Sequence, residues 1–330
     1  MYLHTLAGAD RGANHRRKEI VKAWQFTDTH APLTLVELPG PVPASGQVVV
    51  AVKAVGICHS DVGLFEDEKW LQLLSLPIVP GHEIAGEVVA VGSGVSEYVV
   101  GDRVAIWSMS EMHGYASNGG FGEFVLAKTD SLVRVPDNLP LEMAVFAEPG
   151  MTAQAAVVTS GQVRPGQKVG IIGFGGLGQI GVRVAALSGA RVFVAEINED
   201  AWGRAKDAGA ERVVKDIGEL AEEHLDVVVD FAGFGTTTAG AIAAIGHGGR
   251  VVQVGMGRLE ATIDTYALMT KGITLVGRAG GAKESMKAVL DWMECGDIQP
   301  AMEKIDFQSI PAGIHRLKTG QVSGRLVAVY

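Results

Sequence analysis

Three residues far apart in the chain carry the donor types of a transition-metal site: Cys58 in Gly56-Ile57-Cys58-His59-Ser60-Asp61, His82 in Gly81-His82-Glu83, and Glu148 in Ala147-Glu148-Pro149. Closed structural zinc sites use paired cysteines a few residues apart, whereas catalytic sites disperse their ligands and keep one position free for water or substrate. Thiolate plus imidazole suits a borderline-soft ion, which makes zinc the best-matched metal. Glu83 beside His82 reads either as an alternate fourth ligand or as a partner that orients the others. An open position on zinc would acidify an alcohol or polarise a carbonyl. Ser60, two residues after Cys58, is then the candidate to carry the hydroxyl proton. Each residue also has a plainer reading: Cys58 as a small core hydrophobe, His82 as a buried hydrogen-bonded side chain, Glu148 as a solvated loop carboxylate, and Ser60 as a turn residue. The flanking Gly56 and Gly81 favour the ligand reading, by placing each ligand at a strand-to-loop turn.

A second constellation lies near the middle. Gly173-Phe174-Gly175-Gly176-Leu177-Gly178 follows the apolar run Lys168-Val169-Gly170-Ile171-Ile172 and opens an amphipathic helix through Leu187. With 44 glycines in 330 residues the pattern alone means little; its place between strand and helix gives it meaning. Glycines there allow a tight turn and the approach of a pyrophosphate to free N–H groups at the helix start. Glu196, 18 residues past Gly178, stands where an acidic residue binds the ribose hydroxyls. Ile197-Asn198-Glu199 offers no arginine for a 2′-phosphate, so NAD is expected over NADP. A metal with a nicotinamide points to redox chemistry of alcohols and carbonyls.

The elements that must position these groups fall into two styles. From Val21 to about Pro149 the chain reads as β, with Gln47–Val55 and Ile84–Val91 rich in β-branched residues. Only 66–76 looks helical in that part. After Thr152, apolar strands at 168–172, 191–196, 225–230, 250–255 and 273–277 alternate with helices, the pattern of a parallel sheet covered on both faces. From about Gly296 the tail, ending Gly324-Arg325-Leu326-Val327-Ala328-Val329-Tyr330, rejoins the first part. The expected division is 21–151 with 296–330 for the catalytic unit and 152–295 for the nucleotide unit. Residues 1–20, polar and basic around His15-Arg16-Arg17-Lys18, read as an extension outside the fold.

Composition narrows the class. A net charge of −9, with no cationic cluster beyond the first twenty residues, argues weakly against nucleic acid, and no run approaches the ~18 apolar residues of a membrane span. Two cysteines make no disulfide framework, so a reducing cytoplasm is the default.

Through these segments, from about Lys22-Ala23-Trp24 to the C-terminus, the chain resembles the zinc-dependent, medium-chain alcohol dehydrogenase family. The resemblance implies an α/β and β architecture: a GroES-like catalytic domain plus a Rossmann nucleotide-binding domain, with the site in the cleft between them. Carried over by position, Cys58, His82 and Glu148 match the catalytic ligands, Glu83 stands beside them, and Ser60 matches the proton-relay hydroxyl. His59, Thr152 and Arg325 match cofactor contacts; Val254 and Ala279 fall near the nicotinamide. The family's lobe of four closely spaced cysteines is missing, replaced by the cysteine-free loop 108–118, so one zinc per chain is expected. Gly63 stands where many members carry a relay histidine. Glu148 replaces a common cysteine, and Glu-Pro there is similar to the polyol branch. A homodimer or homotetramer is implied, with 273–277 as an unpaired sheet edge.

The reading is thus an NAD- and zinc-dependent oxidoreductase acting on a small-molecule alcohol, or on an aldehyde or ketone in reverse. The competing readings are a zinc-free enone reductase of the same superfamily, a polyol dehydrogenase, and a non-catalytic nucleotide-binding protein. Trp70, Leu71, Trp107 and Phe121 fit either the walls of an apolar substrate pocket or ordinary core packing.

Overall fold

The computed structural model describes residues 20–330, so the basic stretch at the start lies outside the described residues. Six parallel strands form one sheet: Lys168–Ile172, Arg191–Ala195, Ala210–Val214, Leu225–Asp230, Ile245–Gln253 and Thr274–Gly277. Across the sheet, the strands beginning at 210, 191, 168, 225, 245 and 274 lie in that order. This is the Rossmann arrangement, with its change of direction between the strands at 168 and 225. Val169, Ile171, Val228 and Val229 are fully buried there, as strands covered on both faces require. Ala210–Val214 has no counterpart in the strand pattern read from sequence. It is a short edge strand, and its Glu211 and Arg212 face solvent.

The second sheet gathers Met302–Asp306, Arg325–Val329, Gln47–Ile57, Glu83–Val91, Arg103–Ile106 and Leu132–Arg134, with Phe124–Lys128 also paired to Gln47–Ile57. The tail therefore rejoins the first part of the chain. Two registers matter for function. Gly56 faces Glu83, and Leu326 faces Ile57. Three strand ends thus meet at one corner, which brings Cys58, His82 and Arg325 together.

The first half is less purely β than its pattern suggests. A one-turn helix, His59–Gly63, follows Cys58, a 3-10 run covers Glu68–Leu73, and Leu141–Ala144 and Ala147–Gln154 are helical. Pro149 is tolerated because it sits in the first turn, where its missing N–H costs no helical bond. The helix Ala147–Gln154 crosses between the two halves and carries both Glu148 and Thr152. It packs with Lys283–Glu294, and one apolar cluster runs from Ala54, Ala85 and Ala105 through Met151 to Met286 and Val289. No helix among the described residues is long and apolar enough to cross a membrane.

Candidate active site

The corner where the strands end collects ionisable groups that are otherwise hard to bury. Donor atoms of Cys58, His82 and Glu83 all lie within 4.8 Å of one another. His82 and Glu83 are buried. Neither Gly56 nor Gly81 acts as the strand-to-loop turn expected of it. Gly56 lies inside its strand, where a Cβ would overlap the Glu83 Oε2 atom, so its absent side chain makes room for that carboxylate. Gly81 has φ +86 and precedes a strand, turning the chain from loop into ladder with His82 at the junction. A Cβ there would also strike the Phe121 ring.

Two supports surround this group. Asp61 Oδ2 accepts a hydrogen bond from the Cys58 N–H at 2.8 Å, and its Oδ1 lies 3.7 Å from His82 Nδ1. Arg325 donates from Nη2 to Glu83 Oε1 at 2.6 Å, and both side chains are almost wholly buried. His82 Nδ1 and Glu83 Oε2 nonetheless have no hydrogen-bond partner. Buried polar atoms seldom stay unpaired. An imidazole nitrogen and a carboxylate oxygen left open beside a thiol fit a bound cation of zinc's type.

Electrostatics agrees. Burial pushes the Cys58 thiol up, but the Arg325 charge and a hydrogen bond with His82 outweigh it and bring the group down to about 6. Burial opposes charging of His82, yet neighbouring Tyr115, Cys58 and Asp61 hold its pKa well above the usual imidazole range. Burial drives Glu83 well above the usual carboxylate range despite the Arg325 charge. Burial likewise raises Asp61.

Glu148 stands apart from the tight group. It is buried in the first turn of Ala147–Gln154, and its Oε1 accepts a 2.6 Å hydrogen bond from Ser108 Oγ. Its charge acts on His82, Asp61, Glu83 and Arg325, so it belongs to the same electrostatic site. The Tyr115 ring lies tilted over His82, with centroids 5.4 Å apart, and its phenol neighbours Ser60. Asp61, Ser108 and Tyr115 were not singled out from sequence. The one available signal was Asp61, a carboxylate three residues after Cys58, at the spacing of a side chain that returns to bond an N-cap backbone N–H.

Of the aromatic residues read as pocket walls, Trp70 and Phe121 are core. Phe121 is fully buried, and Trp70 fills the space beside Gly63, where a Cβ would come 2.6 Å from Trp70 Nε1. No relay side chain fits at that position. Leu71 packs on the same cluster. Trp107 bridges the two halves instead, its indole N–H donating to the Gly281 carbonyl at 3.0 Å.

The glycine-rich loop lies across from this corner. Gly173 has φ +86, a conformation that favours glycine, and a Cβ on Gly178 would overlap the Gly173 carbonyl. Gly175 faces open space, and a Cβ on Gly176 would come 2.6 Å from Arg325 Cζ. Arg325 therefore touches both the nucleotide loop and the Glu83 carboxylate. Leu177 precedes the helix Gly178–Leu187 as its N-cap. Glu196 accepts hydrogen bonds from the N–H groups of Phe174 at 2.6 Å and Asn198 at 2.7 Å, which fixes its carboxylate beside the loop. Thr152 is partly exposed on its helix, and His59 is exposed at the start of its own. Val254 follows the strand Ile245–Gln253, and Ala279 is exposed in the loop after Thr274–Gly277.

Fold and site together define an oxidoreductase built on two large sheets, in which the Cys58–His82–Glu83 corner faces the glycine-rich loop. Residues 44–137 match the family model for the alcohol dehydrogenase GroES-like domain, and residues 176–295 match that for zinc-binding dehydrogenases. The chain is 30% identical to an alcohol dehydrogenase of Geobacillus stearothermophilus, covering 93% of this chain and 98% of that one. Among solved structures it is similar to acetophenone reductase from Geotrichum candidum in complex with NAD, at 27% identity and TM-score 0.86, covering 96% and 98% of the two chains. It is also similar to the alcohol dehydrogenase of the archaeon Aeropyrum pernix, at 26% identity and TM-score 0.86, covering 94% and 100%. The chain belongs to the medium-chain alcohol dehydrogenase family and is an oxidoreductase enzyme.

Proposed function

We propose that this enzyme transfers hydride between NAD(H) and a small alcohol–aldehyde or alcohol–ketone pair, with one zinc ion per chain. The observation that carries this reading is the convergence of Cys58, His82 and Glu83 donors within 4.8 Å, with unpaired buried atoms on two of them, beside the nucleotide loop. Cys58, His82 and Glu148 would hold the zinc, with Glu83 as alternate ligand or orienting partner. Zinc in such a site supplies Lewis acidity to the substrate oxygen. The names of similar proteins, an alcohol dehydrogenase and an acetophenone reductase, support the substrate class.

The chain's own residues do the rest. Ser60, with its hydroxyl buried beside the Tyr115 phenol, takes the proton from an alcohol or returns it to a product. Because Trp70 occupies the space beside Gly63, the proton leaves Ser60 by water or a cofactor ribose hydroxyl rather than through a histidine. Arg325 balances the thiolate and carboxylate charge while bordering the loop where a pyrophosphate would lie. His59 and Thr152 would line the cofactor's path, and Val254 and Ala279 the nicotinamide end. Glu196 would read the ribose and disfavour NADP. Burial strengthens each of these interactions by removing competing water.

The test is metal analysis with steady-state kinetics on primary, secondary, aromatic and polyol alcohols, using both cofactors. One zinc per chain, inactivation by chelator and preference for NAD are expected. Full activity in metal-free protein would leave the enone-reductase chemistry standing instead. The open edge at Thr274–Gly277, exposed at three of its four residues, supports a homodimer or homotetramer, to be checked by light scattering. A cytoplasmic location is proposed from a chain whose two cysteines, Cys58 and Cys295, are both free.

A further inference from the structure

Ser108 makes the one hydrogen bond to the Glu148 carboxylate among the described residues, across 40 positions of sequence. Both side chains are buried, and at 2.6 Å the contact lies in the range of an O–H donor on an ionised carboxylate. The mount is rigid. The preceding Trp107 is tied by its backbone N–H to the Ser131 carbonyl at 2.7 Å and by its indole to Gly281. A surface turn serine has no need of such an anchor.

We infer that Ser108 is a positioning residue that commits one oxygen of Glu148 and so makes this carboxylate a one-oxygen ligand to the zinc of the proposed site. The inference rests on the ligand reading given above. Its physical content is simple. A carboxylate has two oxygens, and an ion that takes both has one fewer position to offer a substrate. With Oε1 accepting from Ser108, Oε2 is the oxygen left without a hydrogen-bond partner among the described residues, and the one assigned to face the cation. The same hydrogen bond draws negative charge from the ligand and restricts its rotation, as partners behind metal ligands generally do. Ser108 sits at the start of the cysteine-free loop 108–118, so this loop reaches the active site directly.

The test uses the full-length enzyme loaded with Co²⁺ as a spectroscopic probe, and with Zn²⁺ for release to a chelator. Ser108→Thr keeps the hydroxyl and Ser108→Val matches threonine in volume without it, so the pair isolates the hydrogen bond from packing. Ser108→Val is expected to weaken the cobalt ligand-field bands, as a rise in coordination number does, and to lower zinc affinity by about 10–100-fold. Ser108→Thr should behave like the wild type. In a Glu148→Ala background the valine substitution should change neither reading, because the group it acts through is gone. Identical cobalt spectra and zinc release in wild type and Ser108→Val, with Glu148→Ala altering both, would overturn the inference and leave the zinc site intact. So would an equal effect of valine with and without Glu148. A wild-type enzyme that binds no ion, or a Glu148→Ala variant with unchanged spectra, would remove the ligand reading itself and this inference with it.

Discussion

Arg325 and Glu83 form a buried ion pair, 2.6 Å between Nη2 and Oε1, that joins the strand Arg325–Val329 to the strand Glu83–Val91. The pair is 242 positions apart in sequence, and the guanidinium also lies against Gly176 of the nucleotide loop. One cation therefore touches both the Cys58–His82–Glu83 corner and the glycine-rich loop.

Removing one member of such a pair strands the other charge in a dry interior. Arg325→Leu should lower stability by about 3–5 kcal/mol, read from denaturant unfolding. Glu83→Gln in that background should recover much of the loss, because it removes the stranded charge. A single substitution at Arg325 that leaves the unfolding midpoint unchanged would contradict the pairing.

Gly56 offers a steric probe of the same carboxylate. Gly56→Ala puts a methyl where Glu83 Oε2 lies, so Glu83 must move away from Cys58 and His82. A loss of about 1–3 kcal/mol in stability is expected from the forced displacement. Zinc content, measured on the purified variant, should fall with it.

Metal binding should show an asymmetric proton balance. Cys58 is lowered to about 6, so at pH 7 to 8 it is already a thiolate. His82 is raised well above its usual range, so it holds its proton to a higher pH than an ordinary imidazole and must give it up to become a ligand. Zinc uptake by metal-free enzyme at pH 7.5 should then release no more than about one proton from this pair, drawn from His82 rather than Cys58, and affinity should rise with pH. Calorimetry in buffers of different ionisation enthalpy measures this number. A release of two protons at pH 7.5 would mean that the thiol keeps its ordinary pKa.

In the proposed function, Glu196 is the residue that sets the cofactor preference. Glu196→Ala removes an acceptor for the ribose hydroxyls and the repulsion toward a 2′-phosphate, so kcat/KM with NAD should fall by about 10-fold, the worth of one lost hydrogen bond to a charged group. The ratio of NADP to NAD efficiency should rise. Because its carboxylate also holds the Phe174 and Asn198 N–H groups, the variant's melting temperature should be compared alongside.

The sequence disclosed these parts unequally, for physical reasons. The strand at 168–172, its glycine turn and the helix after it are local, and local geometry demands particular residue types. The spatial order of the six strands depends on pairings between distant segments and leaves no mark on any one of them. Cys58 and His82 were legible because their chemistry is uncommon, although the purpose of Gly56 was not: its missing side chain answers a carboxylate on another strand. Ser108 and Tyr115 were invisible for the opposite reason. In a polar loop, serine and tyrosine look like any turn residue until the fold brings Glu148 and His82 against them. Arg325 could be placed near the cofactor only by resemblance, and its ion pair with Glu83 required the register of Leu326 against Ile57.

The Trp107 bridge gives this molecule a built-in optical gauge. Its indole belongs to the loop leaving one sheet while its hydrogen-bond acceptor, Gly281, belongs to the loop leaving the other. A separation of these two loops would break that contact and expose more of the indole, so in a variant whose other four tryptophans are replaced by phenylalanine the emission colour would follow it. Domain motion can thus be timed in solution without attaching a dye.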